Sequence, residues 1–378
     1  MRASLQEHTP STAIEAWRGV AAALVMYVHF WGFSAHDWPP LRLAHTGVDL
    51  FFVVSGFVFA PYLYGRPLQW RAHAVRRFFR IYPAYLVALA VYVALKVGSG
   101  EPVRYLAEHL TFLHVQSKEM AFYYNPPFWS LPAEVEFYIV LPLLAGAAAA
   151  ARRRWGEAGA HSLLLGLLGV CAALRWALGW AGDAQTQNAA FILMHHLPGV
   201  LVEFLLGAVA WRVNMRSLSP QSRFLMGLCG LAGWSALAFW FGRVGDAGVE
   251  ASLARGLMGA LTAVCFALMV AATVRDGAAA HGSRGKPTTS ATSATSATAR
   301  VRAISSALAV WAGRLSYGVY LFHIAALRCA EAWAPGWGWG GVRALAVALT
   351  LAMALAVYLA WENPWRVFGR RWAGRLKN

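Results

Sequence analysis

The sequence predicts an all-α fold, a polytopic membrane protein of about ten transmembrane helices with both termini cytoplasmic. Three observations carry that expectation. The 378 residues are 58% hydrophobic and 13% charged, with a mean hydropathy of +0.47, whereas a soluble domain carries about 25% charged residues. Apolar runs of about twenty residues recur along the chain, each long enough for a helix to cross a bilayer. Lysine and arginine collect in alternate loops, as they do on the cytoplasmic side of a membrane.

In chain order, the expected spans are 14–34, 47–64, 80–97, 134–151, 162–181, 191–212, 223–241, 254–274, 304–327 and 341–361. Proline and glycine punctuate them at Pro39-Pro40, Gly65-Arg66-Pro67, Pro126-Pro127 and Pro220. Arg71, Arg76, Arg77 and Arg80 load the entry to span three, Arg152, Arg153 and Arg154 the exit of span four, and Arg366, Arg370 and Arg371 the tail. An even number of spans keeps these on one side.

The chain reads as one membrane domain over 1–378. Its first span holds Arg18 and His29 and lacks a small-residue cleavage site, so it is not expected to be a signal peptide. No further domain is expected after the tenth span. Residues 277–302, with their Thr-Ser-Ala repeat, have no apolar face to bury and read as a disordered cytoplasmic linker. On the outside, Tyr105, Leu106, Leu110, Phe112 and Leu113 give residues 100–128 a weakly amphipathic patch, suited to an interfacial helix or to a cap over a site.

The net charge of +16 would suggest nucleic acid in a soluble protein. Here the cytoplasmic loop bias accounts for it, and no nucleic-acid partner is expected. The four cysteines, Cys171, Cys229, Cys265 and Cys329, stand at no metal-like spacing and read as packing residues without disulfides. No metal site is expected.

The chemistry begins in the first span. Arg18 and His29 are eleven residues apart, so they share one helical face with a rise of about 16 Å. Such a face is costly in lipid and belongs against protein or a wet cavity. A neutral imidazole there can take a proton from an attacking hydroxyl. Asp49 opens span two near the depth of His29, where it serves either as a helix-start carboxylate or to orient an imidazole. Ser55-Gly56 reads as close helix packing. Arg77 and Arg80, at i and i+3, can bring two guanidinium forks to one anionic group, such as the phosphates of a cytoplasmic ligand. Glu134 and Glu136 project from different faces of span four, and Glu134 is the choice for the cavity. Glu203 lies mid-span and needs a partner, for which Arg175 is a candidate. His323 adds a second histidine in span nine, suited equally to function or packing.

Taken together these residues resemble the acyltransferase 3 family, the bacterial integral-membrane O-acyltransferases. The matching pieces occur in the family's order. They are Arg18-Gly19 with His29, Gly47-Val-Asp-Leu-Phe-Phe-Val-Val-Ser-Gly56, Arg77-Phe-Phe-Arg80 before Tyr82-Pro83, Trp129-Ser-Leu-Pro-Ala-Glu134, Ser316-Tyr317 with His323, and Glu362-Asn-Pro364. The chain departs from the family pattern at Glu15, Trp17 and Pro132.

The resemblance implies ten helices and acyl transfer from a cytoplasmic acyl-coenzyme A to a hydroxyl, commonly on a sugar. It implies His29 as catalytic base and Arg77 and Arg80 as donor contacts, and it places Arg18 and Glu134 at functional positions. The expectation is therefore an O-acyltransferase of the bacterial inner membrane, moving a short acyl group, acetyl above all, from acyl-CoA to a glycan or glycosylated acceptor. Direct transfer and an acyl-histidine intermediate both suit it. The rival expectation is a glycolipid or small-molecule transporter, with the buried charges forming its path.

Overall fold

A computed structural model describes residues 11–31, 39–181, 184–216, 218–244, 248–274 and 296–376. Seven stretches among them are helical, long and apolar enough to cross a membrane by length and composition. These are Leu43–Leu63, Trp70–Gly98, Pro126–Leu178, Gln187–Asn214, Pro220–Phe241, Val249–Thr273 and Gly338–Arg375. The helices are α1 (Thr12–Trp31), α2 (Gly47–Leu63), α3 (Trp70–Gly98), the short α4 (Leu106–Leu110) and α5 (Lys118–Ala121), and α6 (Ser130–Leu178). There follow α7 (Ala184–His195), α8 (Leu197–Asn214), α9 (Pro220–Phe241), α10 (Val249–Thr273), α11 (Ser296–Trp333), α12 (Gly338–Val357) and α13 (Asn363–Arg375). A 3-10 segment, Pro39–Thr46, leads into α2, and a π-helical turn, Tyr358–Glu362, joins α12 to α13.

The 49 residues of α6 are far more than the ~20 needed for one crossing, and they are broken at Gly156, whose φ of 70° and ψ of −168° leave the helix. Both sides of the break meet the end of α2. Arg152 lies against Gly65, and the His161 ring is 5.6 Å from that of Tyr64. The far ends of both legs meet the start of α8. Glu136 accepts from the Leu197 amide at 2.7 Å, and Arg175 donates to the Gly199 carbonyl at 3.0 Å. The chain therefore runs the length of the bundle, reverses at Gly156 and returns.

At the centre, α2 packs on α8, and α1 packs on α11 and α2. A Cβ on Gly56 would lie 1.9 Å from the Phe204 carbonyl oxygen, and one on Gly207 would lie 2.0 Å from that of Val53. Two glycines thus bring α2 and α8 into backbone contact. Phe52, Phe59, Phe137 and Phe204 fill the core beside this seam.

Segment 100–128 packs against α3 rather than forming one continuous helix. Its two short helices lie along α3, from whose middle Tyr85 and Tyr82 donate to the carbonyls of His109 and Leu110 at 2.8 and 3.0 Å. His109, His114, Tyr124 and Phe128 are fully buried. Tyr105 and Phe112 hold φ of 57° and 58°, a region costly for bulky side chains. Phe112 is kept there by stacking on Tyr85. Of the proposed linker, 277–295 lies outside the described residues. Its last part, Ser296–Arg302, is the start of α11, where alanines favour the helix.

Candidate active site

Five elements enclose a cavity of about 770 Å³, counting its open mouth. α2 gives it one wall from Val48 to Phe59, a rise of about 16 Å. Arg18 comes from α1, Arg77 and Arg80 from α3, Glu134 and Tyr138 from α6, and Ser316, Tyr317 and Tyr320 from α11. His29 and Asp49 are outside this lining.

At the arginine end, the three guanidinium groups do not have equal standing. Arg80 is 11% exposed and ion-paired with Glu362, itself 1% exposed. Arg366 holds the same carboxylate at 3.6 Å. The π-helical turn carries Glu362 inward to this position. Arg77 lies over the rings of Phe59 and Tyr138 at 5.1 and 5.5 Å. Its Nε is buried without a hydrogen-bond partner. An anionic ligand entering here would meet Arg77 first, with Arg80 already committed to a carboxylate.

Across the cavity, Glu134 accepts from Tyr138 one turn along its own helix and from the Ser55 hydroxyl at 3.4 Å. Glu136, two residues on, instead binds His196 and the Leu197 amide. That sorting follows the helical period, which sends residues two apart to different faces. Ser55 thus has a polar role beside the packing glycine that follows it.

Beyond the cavity's upper end lie the histidines. Val48 lines that end, and its neighbour Gly47 lies against Val25, to whose Cγ2 a Cβ there would come within 3.0 Å. His29 follows Val25 by four residues, about 6 Å along α1. Its Nδ1 is 2.7 Å from the Val25 carbonyl and 3.3 Å from Nε2 of His323. His323 in turn lies 6.4 Å, ring to ring, from the cavity residue Tyr320. The pairing was invisible in sequence, because the two histidines stand 294 residues apart.

Asp49 belongs to another cluster. It is hydrogen-bonded to Glu203 and within electrostatic reach of Arg175. Arg175 donates to Glu203 at 3.0 Å, to the Gly199 carbonyl at 3.0 Å and to the Gly256 carbonyl at 2.9 Å. All three side chains converge on Gly259 of α10, where a Cβ would stand within 2.8 Å of each. Among the described residues, no three His, Cys, Asp or Glu side chains are placed to hold a metal ion.

In the cap that 100–128 forms over α3, His109 and His114 stack with centroids 4.1 Å apart. Burial pushes the first imidazole down to about 4, and burial with its neighbour's charge pushes the second to about 3. Both therefore stand neutral at physiological pH.

The acyltransferase 3 family, described as an acyltransferase domain, matches residues 11–361. The chain belongs to this family. Among relatives, nodulation protein 10 of Rhizobium leguminosarum bv. viciae is 30% identical over 178 residues, 39% of this chain and 47% of that protein. BcsY of Komagataeibacter xylinus, named as a membrane-bound transacylase, is 26% identical over 218 residues, 52% of this chain and 50% of the relative. A protein of the picA locus in Rhizobium radiobacter is 38% identical over 86 residues, 21% of this chain and 43% of its own length. The chain spans about half the length of the curated relatives it matches. No solved structure matches it. Family and helices together make this a multi-pass membrane protein of an acyltransferase family.

Proposed function

We propose that the protein transfers an acetyl group from acetyl-CoA to a hydroxyl of a sugar-containing acceptor, as an O-acetyltransferase of the bacterial inner membrane. One observation carries the reading. A cavity bearing three arginines at one end leads, within about a helical turn, to a histidine pair at the other. Donor phosphates bind at Arg77 and Arg18, with Arg80 adding charge behind its pairing with Glu362. The thioester arm runs along α2 towards His29, and Glu134 holds polar groups of the substrates in the wall between.

The chemistry balances without an added reactant. Nε2 of His29 takes the proton of the acceptor hydroxyl as its oxygen attacks the thioester carbon. The C–O bond forms, the C–S bond breaks, and the proton passes to the departing thiolate to give free coenzyme A. The topology goes with the reading. The two legs of α6, with α1, α11 and the remaining long helices, make ten crossings, and both termini then lie in the cytoplasm with the arginine end of the cavity.

The test uses purified protein in liposomes, with acetyl-CoA as donor and an envelope glycan extract as acceptor. Thiol release that depends on the extract, with the acetyl mass appearing on an extracted glycan, is the expected result. Transport of the extract's components without thiol release would overturn it. Loss of release in His29→Ala, with normal protein levels, assigns the base.

A further inference from the structure

His323 is the buried titratable group nearest the proposed base, and no step above uses it. It is fully buried on α11, facing His29 on α1. A backbone carbonyl can only accept a hydrogen bond. Nδ1 of His29, 2.7 Å from the Val25 carbonyl, therefore carries its proton. By the same reasoning Nδ1 of His323, 3.0 Å from the Val319 carbonyl, carries its own. Nε2 of His323 is then a lone pair, and it faces the Nδ1–H of His29 at 3.3 Å. The proton on Nδ1 of His29 is shared between a carbonyl and a second imidazole, and its basic nitrogen is Nε2.

We propose that His323 is the positioning residue of the acyl-transfer reaction, its Nε2 accepting the Nδ1–H of His29 so that Nε2 of His29 is fixed as the base. This rests on His29 being that base. When His29 takes the hydroxyl proton, it becomes an imidazolium whose Nδ1–H is a stronger donor, and the His323 lone pair meets it. A histidine thus takes the part that a carboxylate plays in many hydrolytic sites. The apolar setting suits a neutral acceptor. A carboxylate here would itself need a buried counter-charge when the base is neutral. Around the pair, Phe30 and Tyr320 pack on His323, and His45 of the 3-10 segment is within electrostatic reach of His29.

The test compares His323→Gln with His323→Asn in the same liposome assay with acetyl-CoA and envelope extract. Glutamine puts its amide oxygen near the place of Nε2, whereas asparagine reaches only the place of Nδ1. The asparagine variant is expected to lose about 10- to 100-fold in kcat, the worth of one hydrogen bond to a charged group. The glutamine variant should keep most of the rate, and the KM for acetyl-CoA should stay within about twofold in both, which also shows that the donor site has folded. His29→Ala combined with His323→Asn should be no slower than His29→Ala alone. Equal losses in the two single variants, or an added loss in the double variant, would overturn the proposal. Full activity in His29→Ala would instead overturn the assignment of the base, and with it the reading on which the proposal depends.

Discussion

The bundle holds two ionic clusters built from the same residue types, and they differ in closure. Around Arg175, two carboxylates and two backbone carbonyls converge on a single guanidinium, drawn from α2, α6, α8 and α10. Around Arg80, one carboxylate serves two arginines, and Arg77 and Arg18 stand beside it against an open cavity. The first cluster joins four helices, with Arg175 and Glu203 buried between them. The second has more positive charge than its carboxylates balance and has space in front of it. Buried charge in a membrane protein thus divides by what lies in front of it: a neighbouring helix in one case, an open cavity in the other.

Removing a carboxylate of the closed cluster should give the largest effect. Glu203→Ala breaks the buried ion pair with Arg175, leaving Asp49 as the one carboxylate near that guanidinium, and is expected to cost about 3–5 kcal/mol of stability, read as early thermal unfolding in detergent. Pairing it with Arg175→Met should restore much of that loss. If Glu203→Ala melts normally, the cluster is not a structural staple.

The open cluster should respond in function. Arg77→Ala is expected to raise the KM for acetyl-CoA about 10- to 100-fold, the loss of one or two charge-assisted contacts at about 1.5–3 kcal/mol each. Its melting temperature should move by only a few degrees, since no ion pair of Arg77 is broken among the described residues. Glu362→Gln removes the carboxylate that competes with a donor phosphate for Arg80. It should lower the donor KM by about threefold at low salt, and the gain should fade as salt screens the site. An unchanged KM would mean that Arg80 never turns towards the donor.

The smallest effect concerns the cap. His109 and His114 have ring basicities held down to about 4 and about 3 by burial, below the ordinary 6.5. An opened cap binds protons that the closed one refuses, so closure is favoured at neutral pH and weakens as pH falls from about 6.5 towards 4. Between pH 7 and 6 the two histidines together should ease opening by about 1 kcal/mol. Hydrogen exchange of amides 105–125 should accelerate accordingly, and not in a His109→Asn, His114→Asn variant.

The helical class and several of the spans were legible from the chain because membrane helices announce themselves through apolar length. The sorting of Glu134 from Glu136 followed from helical period, and Arg175 could be guessed for Glu203 because a mid-span carboxylate needs a cation. Period and composition describe one helix at a time. They do not say which helices touch, so the facing of His323 on His29, and of Glu362 on Arg80 across 282 residues, was hidden. The two readings of segment 100–128, an interfacial helix or a cap over a site, stayed open for the same reason. Its apolar residues suggested a membrane surface, whereas the tyrosines of α3 that claim its carbonyls lie far enough back in sequence to leave no local pattern.

The glycine seam between α2 and α8 has a consequence for the cell's energy economy. On the proposed function, which brings a donor in from one face and an acceptor from the other, the cavity is at risk of becoming a wire for protons. The wall of the cavity is α2, and behind it Gly56 and Gly207 let two backbones meet with no width for a file of water. A methyl group at either position would wedge the helices apart and open a path beside the arginines. Such variants should dissipate a pH gradient imposed across liposomes, whether or not they still transfer an acyl group.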